Sequence, residues 1–567
     1  MKIKLLLAVL LSLFFIGGVA LSQEKQVVRV AISNQNFSSY DYQNIKISSS
    51  DFVKIVDMSQ EIQTNLIEPL KIIEVVMNNS LFDVYIDDEL KYKKLKGPLL
   101  FGSNKELEIV ELDRKGMPAK YKGLLELRHS KNNIMFNVIN VIDMQNYLRG
   151  VVANEMPERF GLEALKAQSV AARNYAQNAQ INPNYDVVDS TASQVYYGVN
   201  SYKPIPDMAV AQTQGIYALY DEKPITALYF STSIGITDDW EDIFGNGTYS
   251  GKHPYLKARY DLDNEPLKSE SDVEKFLSKK DNGLDVDSPK FRWEYEFDRV
   301  ELEEVLHSTL QKQSKLGFVF PNYDGDIKIE GLKEIKPLKR TPAGKITELE
   351  IISKSGDYKI KTQLAIRRVF KKNNSMMPST AFFVEASKKE ESLLNEDEYT
   401  GIIKFFDSSS EGKYPKTFKF IGGGFGHGVG MSQYGAFSLA KMGKKYPEIL
   451  KHYYTDIKIS TMPKTVQIDE YNINSKTEFY FEPNVYNEAF LFINNTRGVS
   501  EFPFKINDVE FSETSHIANK KVVKINITQY LKEGSNVIDF APLARDNKNK
   551  HIIYRVELNN GLRDETK

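Results

Sequence analysis

Alternation of hydrophobic and polar positions predicts short β-strands over much of the chain. The alternating segments are residues 27–32, 125–128, 134–142, 478–481, 489–493 and 522–527. Turn-forming Asn, Gly and Pro residues separate the last of these segments, beyond about residue 465. This spacing predicts a carboxy-terminal β-sandwich over residues 465–567, a candidate for binding glycan or a partner protein.

Helical periodicity interrupts the strands between these two ends. Apolar and small residues recur every three or four positions in an alanine-rich run, at Leu162, Leu165, Ser169, Ala172 and Ala176. This spacing predicts a closely packed helix over residues 162–179. Further helices are predicted at 432–441, directly after a glycine-rich loop, and at 446–455. The predicted fold class is α+β: a strand-rich mixed domain with a few packed helices, followed by the β-sandwich.

Chain length sets the number of domains. At 567 residues, a prior of about 150 residues per domain gives three or four units. We predict an accessory amino-terminal region at 23–118 and a catalytic domain at 119–464. The polar, charged run at about 264–290 is predicted to be a surface insertion in that domain.

The first residues predict export. Lys2 and Lys4 flank the start of an apolar run that ends at Ile16, and small residues follow it up to Ser22. This order is typical of a signal peptide, predicted at residues 1–22. An uncleaved membrane anchor is the alternative. The expected location is secreted or periplasmic, in association with the cell envelope.

The net charge and the cysteine content limit the classes of partner, nucleophile and metal site that we expect. The formal net charge of −2 gives no strong field, so no nucleic-acid partner is expected, and a neutral or mixed-charge substrate fits better. Because the sequence contains no cysteine, disulfides, thiol nucleophiles and thiolate metal sites are excluded.

Two sequence blocks carry a family resemblance. Residues 146–176 read NYLRGVVANEMPERFGLEALKAQSVAARNYA, and residues 422–436 read GGGFGHGVGMSQYGA. In this order they resemble the signature of the stage II sporulation protein D / amidase-enhancer family, over roughly residues 120–456. The resemblance implies an enzyme that cleaves peptidoglycan between N-acetylmuramic acid and N-acetylglucosamine, as a lytic transglycosylase. We expect no cofactor. Some members of the family are described only as enhancers of an amidase.

Glu155 matches the family's proposed catalytic glutamate. A single carboxyl group can protonate the leaving oxygen and then accept the proton of the muramic acid 6-hydroxyl, which leaves a 1,6-anhydro end. Apolar neighbours such as Val151, Val152 and Met156 are expected to raise its pKa by desolvation. The alternative is a capping role at the helix that follows Pro157.

Further residues are candidates for substrate binding through the resemblance and their side-chain chemistry. They are Lys166, Gln168, Arg173, Tyr197, Ser231, Thr232, His427, Gln433 and Tyr434. Lys166 and Arg173 lie two helical turns apart, where a solvated helix face is the alternative. His427, flanked by glycines, is a candidate to polarise the substrate or hold the proton of Glu155, with a structural histidine as the alternative. Gln168 could equally satisfy a buried backbone group, and Tyr197 could equally belong to the core.

No metal is expected. Some family members hold zinc with histidine and cysteine after the serine-threonine segment, whereas this chain reads STSIGITDD with Ile236. A site formed by His253, His427 and His452 meeting in space is the alternative. The expected partners are peptidoglycan glycan strands. Two rival functions stay open: a non-catalytic peptidoglycan-binding protein that stimulates a cell-wall amidase, and a structural envelope protein.

Overall fold

The computed structural model describes two compact units. The described residues are 25, 27–60, 62–131, 133–245, 253–321, 325–387, 414–462, 464–472, 476–483, 486–494, 504–511, 522–540 and 553–560. The larger unit comprises residues 27–214 and 225–458, and the smaller one contains residues 215–224 and the described residues from 459 onward. The predicted signal peptide, 1–22, lies outside the described residues.

Two sheets form the amino-terminal part of the larger unit. The first contains, in spatial order, Val187–Val188, Val27–Ile32, Phe136–Asp143, Leu124–His129, Leu99–Gly102, Lys54–Asp57 and Ile62–Gln63, with Asp41–Tyr42 beside Phe136–Asp143. The second contains Met117–Tyr121, Leu107–Arg114, Asn44–Ser49, Ile73–Asn78, Leu81–Ile86 and Glu89–Leu95.

The strand Phe136–Asp143 is central to the first sheet. Its sequence FNVINVID is buried at every position except the last, as expected for a strand covered on both faces. Val27–Ile32 pairs with it over its whole length. Residues 23–118, predicted as an accessory region, therefore contribute strands to the sheet that leads into the predicted catalytic domain. The division at residue 118 stays a prediction.

The helices of the larger unit come after the strand Phe136–Asp143 in the chain and are distributed from residue 144 to residue 453. They are Met144–Glu155, Leu162–Asn178, Pro204–Gln212, Trp240–Phe244, Glu270–Ser278, Arg299–Lys315, Gln363–Val369, Gln433–Lys441 and Tyr446–Tyr453. The three helices predicted from the sequence are confirmed. We call Met144–Glu155 the Glu155 helix, Leu162–Asn178 the Arg173 helix and Gln433–Lys441 the Gln433 helix.

Small sheets support the second half of the larger unit. Their strands are Trp293–Asp298, Thr417–Gly422 and Phe382–Ala386; Val319–Phe320, Asp357–Lys361, Ile346–Ser353 and Leu332–Arg340; Lys371–Lys372 with Ser375–Met376; and Tyr229–Phe230 with Met431–Ser432. The run 264–290 differs from the predicted surface insertion, because Val273, Phe276 and Leu277 are buried in a core shared with Ile234. Because most residues of this run are polar, the sequence did not indicate the amphipathic helix Glu270–Ser278.

The smaller unit contains the predicted β-sandwich. One sheet orders Lys464–Asn472, Ile553–Asn560, Glu488–Asn494 and Val522–Asn526, and the other orders Lys476–Phe481, Gly534–Asp539, Phe504–Ile506 and Val509–Phe511. Phe479 and Ile506 from one sheet share a core with Leu491 and Val556 from the other. Lys223–Pro224, Ile216–Tyr220 and Lys458–Thr461 form a further small sheet. The α+β fold class is thereby confirmed.

Membrane-spanning helices are absent from the described residues, none of whose helices is both long and apolar enough to cross a bilayer.

Candidate active site

Glu155 ends its helix at the boundary between core and solvent. Asp143 caps the start of the helix by accepting a hydrogen bond from the main-chain N of Asn146. Its apolar neighbours Val151, Val152 and Met156 are fully buried, whereas Glu155 keeps partial solvent exposure. The apolar side chains therefore hold the helix end in place, and the carboxyl group stays within reach of a ligand.

The carboxyl group bonds to a distant segment and caps no helix. Its Oε1 accepts a hydrogen bond of 2.7 Å from the main-chain N of Val195. The next helical turn, Glu158–Phe160, begins after Pro157, and the Arg173 helix begins after Gly161; neither has a side-chain cap. The capping alternative for Glu155 is therefore wrong.

Burial controls the protonation of Glu155. It raises the pKa from 4.5 to about 7, because surrounding protein disfavours the charged form more than hydrogen bonds from the Val195 main chain and the Gln433 side chain favour it. The position at a helix C-terminus, where the backbone dipole repels negative charge, acts in the same direction as burial. A carboxyl group with this pKa can both donate and accept a proton near neutral pH.

Gln433 brings the second sequence block to the first. Ser432 caps the Gln433 helix by accepting from the main-chain N of Gly435, which makes Gln433 the first helical residue. Its Nε2 donates to the main-chain O of Glu155 at 2.9 Å and to Oε1 of Gln168 at 3.4 Å. The two residues predicted as acid and ligand thus meet across 278 positions of sequence.

Gln168 lies behind this contact. Its side chain is fully buried, and among the described residues its Nε2 has no hydrogen-bond partner. Because no surface of Gln168 is exposed, a direct ligand contact is not seen. Gln168 instead positions Gln433. Its contact is with the Gln433 side chain and differs from the predicted alternative, a bond to a buried backbone group.

A polar chain that sequence reasoning missed lies beside Glu155. Tyr147 donates from its hydroxyl to Oε1 of Gln194 at 2.9 Å, and Gln194 donates from Nε2 to the Tyr229 hydroxyl at 2.9 Å. Burial raises the pKa of both tyrosines, and the charge of Glu155 adds to the rise. The spacing in the sequence could have indicated Tyr147, because it precedes Glu155 by eight residues and lies on the same face of the helix.

His427 fastens the glycine-rich loop. Its Nε2 donates to the main-chain O of Tyr229 at 3.0 Å, and its Nδ1 accepts from the main-chain N of Val429 at 3.1 Å. Burial lowers its pKa to about 4, so the ring is neutral. Because both ring nitrogens bond to main chain, the predicted role of holding the proton of Glu155 is not seen. The structural alternative fits.

The two basic residues of the Arg173 helix do not form the predicted ligand-binding face. Lys166 lies 3.1 Å from Oε1 of Glu163, one turn away. Arg173 is fully buried and donates to Oγ1 of Thr213. The helix is buried on several sides, so a spacing of seven residues carries Arg173 into the core.

Ser231 and Tyr434 remain accessible, whereas Thr232 does not. The main-chain N of Tyr434 donates to the main-chain O of Ser231 at 3.1 Å, and both residues are partly exposed. The Tyr434 ring packs edge-on against Phe160 at 4.8 Å. Thr232 is buried, with its hydroxyl 2.7 Å from Oγ of Ser288, so a ligand does not reach it in this structure.

The aromatic pair at 196–197 divides between core and surface. Tyr196 is fully buried and donates from its hydroxyl to Oδ1 of Asn140 at 2.6 Å. Tyr197 is partly exposed. Burial raises its pKa, while Arg114 lowers it and the charges of Asp189 and then Glu155 raise it further. Because of its exposure, Tyr197 is the member of the pair that a ligand can contact.

The described residues contain no group of three or more His, Asp or Glu side chains that could hold a metal ion. His253 bonds to the Tyr255 hydroxyl at 2.8 Å, and His452 lies 3.6 Å from Asp261.

Comparisons with known proteins match two stretches of this chain. Residues 132–220, which contain Glu155, match the family model described as "Stage II sporulation protein". Residues 248–430, which contain the glycine-rich loop, match the model described as "Domain of unknown function (DUF8618)".

Individual relatives extend the similarity. The chain is 30% identical over 338 residues to stage II sporulation protein D of Bacillus subtilis, covering 56% of this chain and 75% of that protein. It is 31% identical over 310 residues to the amidase enhancer of the same organism, covering 54% of this chain and only 39% of that relative's length. An uncharacterized protein of Brachyspira hyodysenteriae is 28% identical over 358 residues, covering 62% and 72% of the two chains.

Proposed function

We propose that the chain, which belongs to the stage II sporulation protein D family, is a peptidoglycan lytic transglycosylase. Glu155 is its proposed general acid and base. The observation that supports the proposal most is the state of that one carboxyl group. Glu155 has a pKa raised to about 7 and partial solvent exposure, at the point where Gln433 joins the two family blocks.

The reaction needs one proton donor that later accepts a proton. Because Oε1 of Glu155 already accepts from the main-chain N of Val195, the neutral carboxyl group carries its proton on Oε2. That proton passes to the glycosidic oxygen as the bond to C1 of N-acetylmuramic acid breaks. The 6-hydroxyl of the same sugar then bonds to C1, and its proton returns to the Glu155 carboxylate. The products are a free N-acetylglucosamine end and a 1,6-anhydro end, and no water is consumed.

Partly exposed residues around Glu155 are proposed to orient the strand. Ser231 and Tyr434 offer hydroxyl groups, and Tyr197 offers a ring face. Gln433 holds the helix end through the main chain of Glu155, which makes it a positioning residue. Thr232, Gln168 and Arg173 are assigned to the scaffold instead, because they are buried.

Product analysis tests the enzyme proposal. Purified glycan strands are incubated with wild type, Glu155→Gln and the matched control Glu158→Gln, and the ends are identified by mass spectrometry. Glu158 is a nearby glutamate whose carboxylate lies 3.7 Å from Lys203. We expect 1,6-anhydro ends from wild type and Glu158→Gln and a loss of at least about 100-fold in Glu155→Gln. Strands left intact by wild type would refute the proposal.

A non-catalytic enhancer is the second candidate, favoured by the relative named "Amidase enhancer". In that case the protein binds glycan strands and a cell-wall amidase without breaking a bond. Adding wild type and Glu155→Gln to a purified amidase separates the two: equal stimulation by both proteins, with no anhydro ends, would support the enhancer. Stimulation lost in Glu155→Gln would support the enzyme.

Export to the cell envelope is proposed from the pattern of Lys2, Lys4 and the apolar run that follows them. The substrate proposed above requires it, since glycan strands lie outside the cytoplasmic membrane. Amino-terminal sequencing of protein from the envelope fraction should give Gln23 as the first residue. A start at Met1 in that fraction would favour the uncleaved anchor.

A further inference from the structure

A pocket extends from Tyr197 to the amino-terminal strands. It has a volume of about 330 Å3, and its lining includes Gln35, Phe37, Asp113, Arg114, Lys115 and Tyr197. Its size lies within the range of small-molecule sites. All but Tyr197 come from residues 23–118, which the family signature does not cover. We propose that this pocket is a sugar subsite that holds an N-acetylated hexose of the glycan strand.

The positively charged side chain of Arg114 forms the buried wall of the pocket. Arg114 is only 1% exposed and forms an ion pair of 3.1 Å with Asp189, which is fully buried. Its Nη2 also donates to the main-chain O of Ser33 at 2.7 Å. Among the described residues, Nε of Arg114 has no hydrogen-bond partner. This Nε has no solvent-accessible surface, so Arg114 fixes the shape of the wall and does not contact a bound sugar directly.

Aromatic rings form the accessible walls. Phe37 is 41% exposed, and its ring centroid lies 4.4 Å from the Arg114 guanidinium and 6.0 Å from the Tyr197 ring. Nζ of Lys115 lies 5.8 Å from the Tyr197 ring. Flat rings beside polar side chains such as Gln35 and Lys115 suit a pyranose, which has an apolar face and a polar rim, and an acetamido group, which has a methyl and a carbonyl.

Charge favours a neutral occupant over a charged one. The Arg114 charge is matched by Asp189 at 3.1 Å, and Asp113 and Lys115, both exposed, bring opposite signs to the pocket. No excess of either sign remains among these four residues for a carboxylate or an ammonium group. A sugar ring therefore fits the pocket better than the charged stem peptide of peptidoglycan.

The pocket is connected to the acid through one short segment. Val195, whose main-chain N bonds to Glu155, precedes Tyr197 by two residues, a Cα separation of at most about 7 Å. A sugar in the pocket and the bond beside Glu155 can therefore belong to the same strand. This inference rests on the proposed function for the identity of the strand, but it makes its own prediction about affinity.

Binding in a cleavage-deficient background tests the subsite. The Glu155→Gln protein, with and without Phe37→Ala, is titrated with glycan strands from which the stem peptides have been removed, and Kd is measured by calorimetry. Phe52→Ala is the matched control, since Phe52 is 44% exposed and does not line the pocket. We expect Phe37→Ala to weaken binding roughly 3- to 10-fold and Phe52→Ala to leave it unchanged. Phe37→Trp, which keeps a ring, should retain the affinity.

The outcomes separate the two proposals. Equal Kd values with and without Phe37→Ala would overturn the subsite, whatever the enzyme does. A loss seen only with strands that carry stem peptides would also overturn it, because the pocket would then bind peptide. Absence of anhydro ends from wild type would refute the enzyme without changing the Kd comparison. Because Phe37 is 41% exposed but contacts the Arg114 guanidinium, Phe37→Ala should lower the unfolding midpoint slightly and leave the protein folded; the midpoint is measured alongside.

Discussion

Replacing Glu155 by Gln should stabilise the protein, and more so as the pH rises. Glu155→Gln keeps the shape of the side chain and an oxygen that can accept from the main-chain N of Val195, but it cannot ionise. In the folded protein the pKa of Glu155 is about 7, against an ordinary value of 4.5. Between these values the folded protein keeps a proton that the unfolded chain has released, so wild-type stability falls as the pH rises.

The size of the effect follows from the two pKa values. At about 1.4 kcal/mol per pKa unit, ionising Glu155 lowers the free energy of unfolding by at most about 3.5 kcal/mol, with the full effect above about pH 8. Partial solvent exposure of the side chain reduces this figure. Below about pH 4.5 the carboxyl group is neutral in both states, and the contribution vanishes.

Urea unfolding of wild type, Glu155→Gln and the control Glu158→Gln across about pH 5 to pH 8 measures this difference. Hydrogen exchange of the amides in the Glu155 helix identifies the unfolding transition of that helix, and this transition is compared among the three proteins. We expect Glu155→Gln to gain stability over wild type progressively with pH, while Glu158→Gln shows no such trend. A difference that stays constant with pH, or a variant less stable than wild type at pH 8, would refute the argument that burial keeps Glu155 neutral.

Three further replacements test the scaffold by urea unfolding. His427→Phe removes both hydrogen bonds of the ring and should cost about 1–3 kcal/mol; an unchanged midpoint would contradict the structural role. Arg173→Met removes a buried cation. It should alter stability, and the variant that still folds should keep the KM of wild type. A raised KM would show that Arg173 binds the substrate after all. Asp285→Ala removes the carboxylate that accepts from the buried main-chain N of Ser233 at 2.7 Å and leaves it only the longer bond of 3.3 Å to Oγ of Ser432. This change should cost about 1–3 kcal/mol; no loss would contradict the importance of the shorter bond.

Local pattern was sufficient to predict the elements that surround the site. The alanine-rich periodicity gave Leu162–Asn178 to within one residue, and the glycine-rich loop gave the start of Gln433–Lys441. The β-sandwich followed from alternation and turns alone. Glu155 came from the family resemblance together with its apolar neighbours, whose burial is the reason that its pKa rises.

Long-range packing was not predictable in the same way. Periodicity places Lys166 and Arg173 on one side of a helix, but it does not tell whether that side faces solvent or a second layer; the structure buries Arg173. A glycine-flanked histidine gives no sign of which main-chain groups will meet His427. The pocket at Phe37 and Tyr197 joins residues 160 positions apart, and no local pattern links them.

The pH dependence of strand cleavage tests the central claim most directly. The rate of formation of 1,6-anhydro ends is measured on peptide-free glycan strands from about pH 5 to pH 9, at substrate concentrations far below KM, so that kcat/KM reports the free enzyme. If Glu155 donates its proton from the state described, kcat/KM falls tenfold per pH unit above an apparent pKa of about 7. A rate that keeps rising through pH 8, or one that already falls tenfold per pH unit from pH 5, as the ordinary pKa of 4.5 would give, would contradict the account.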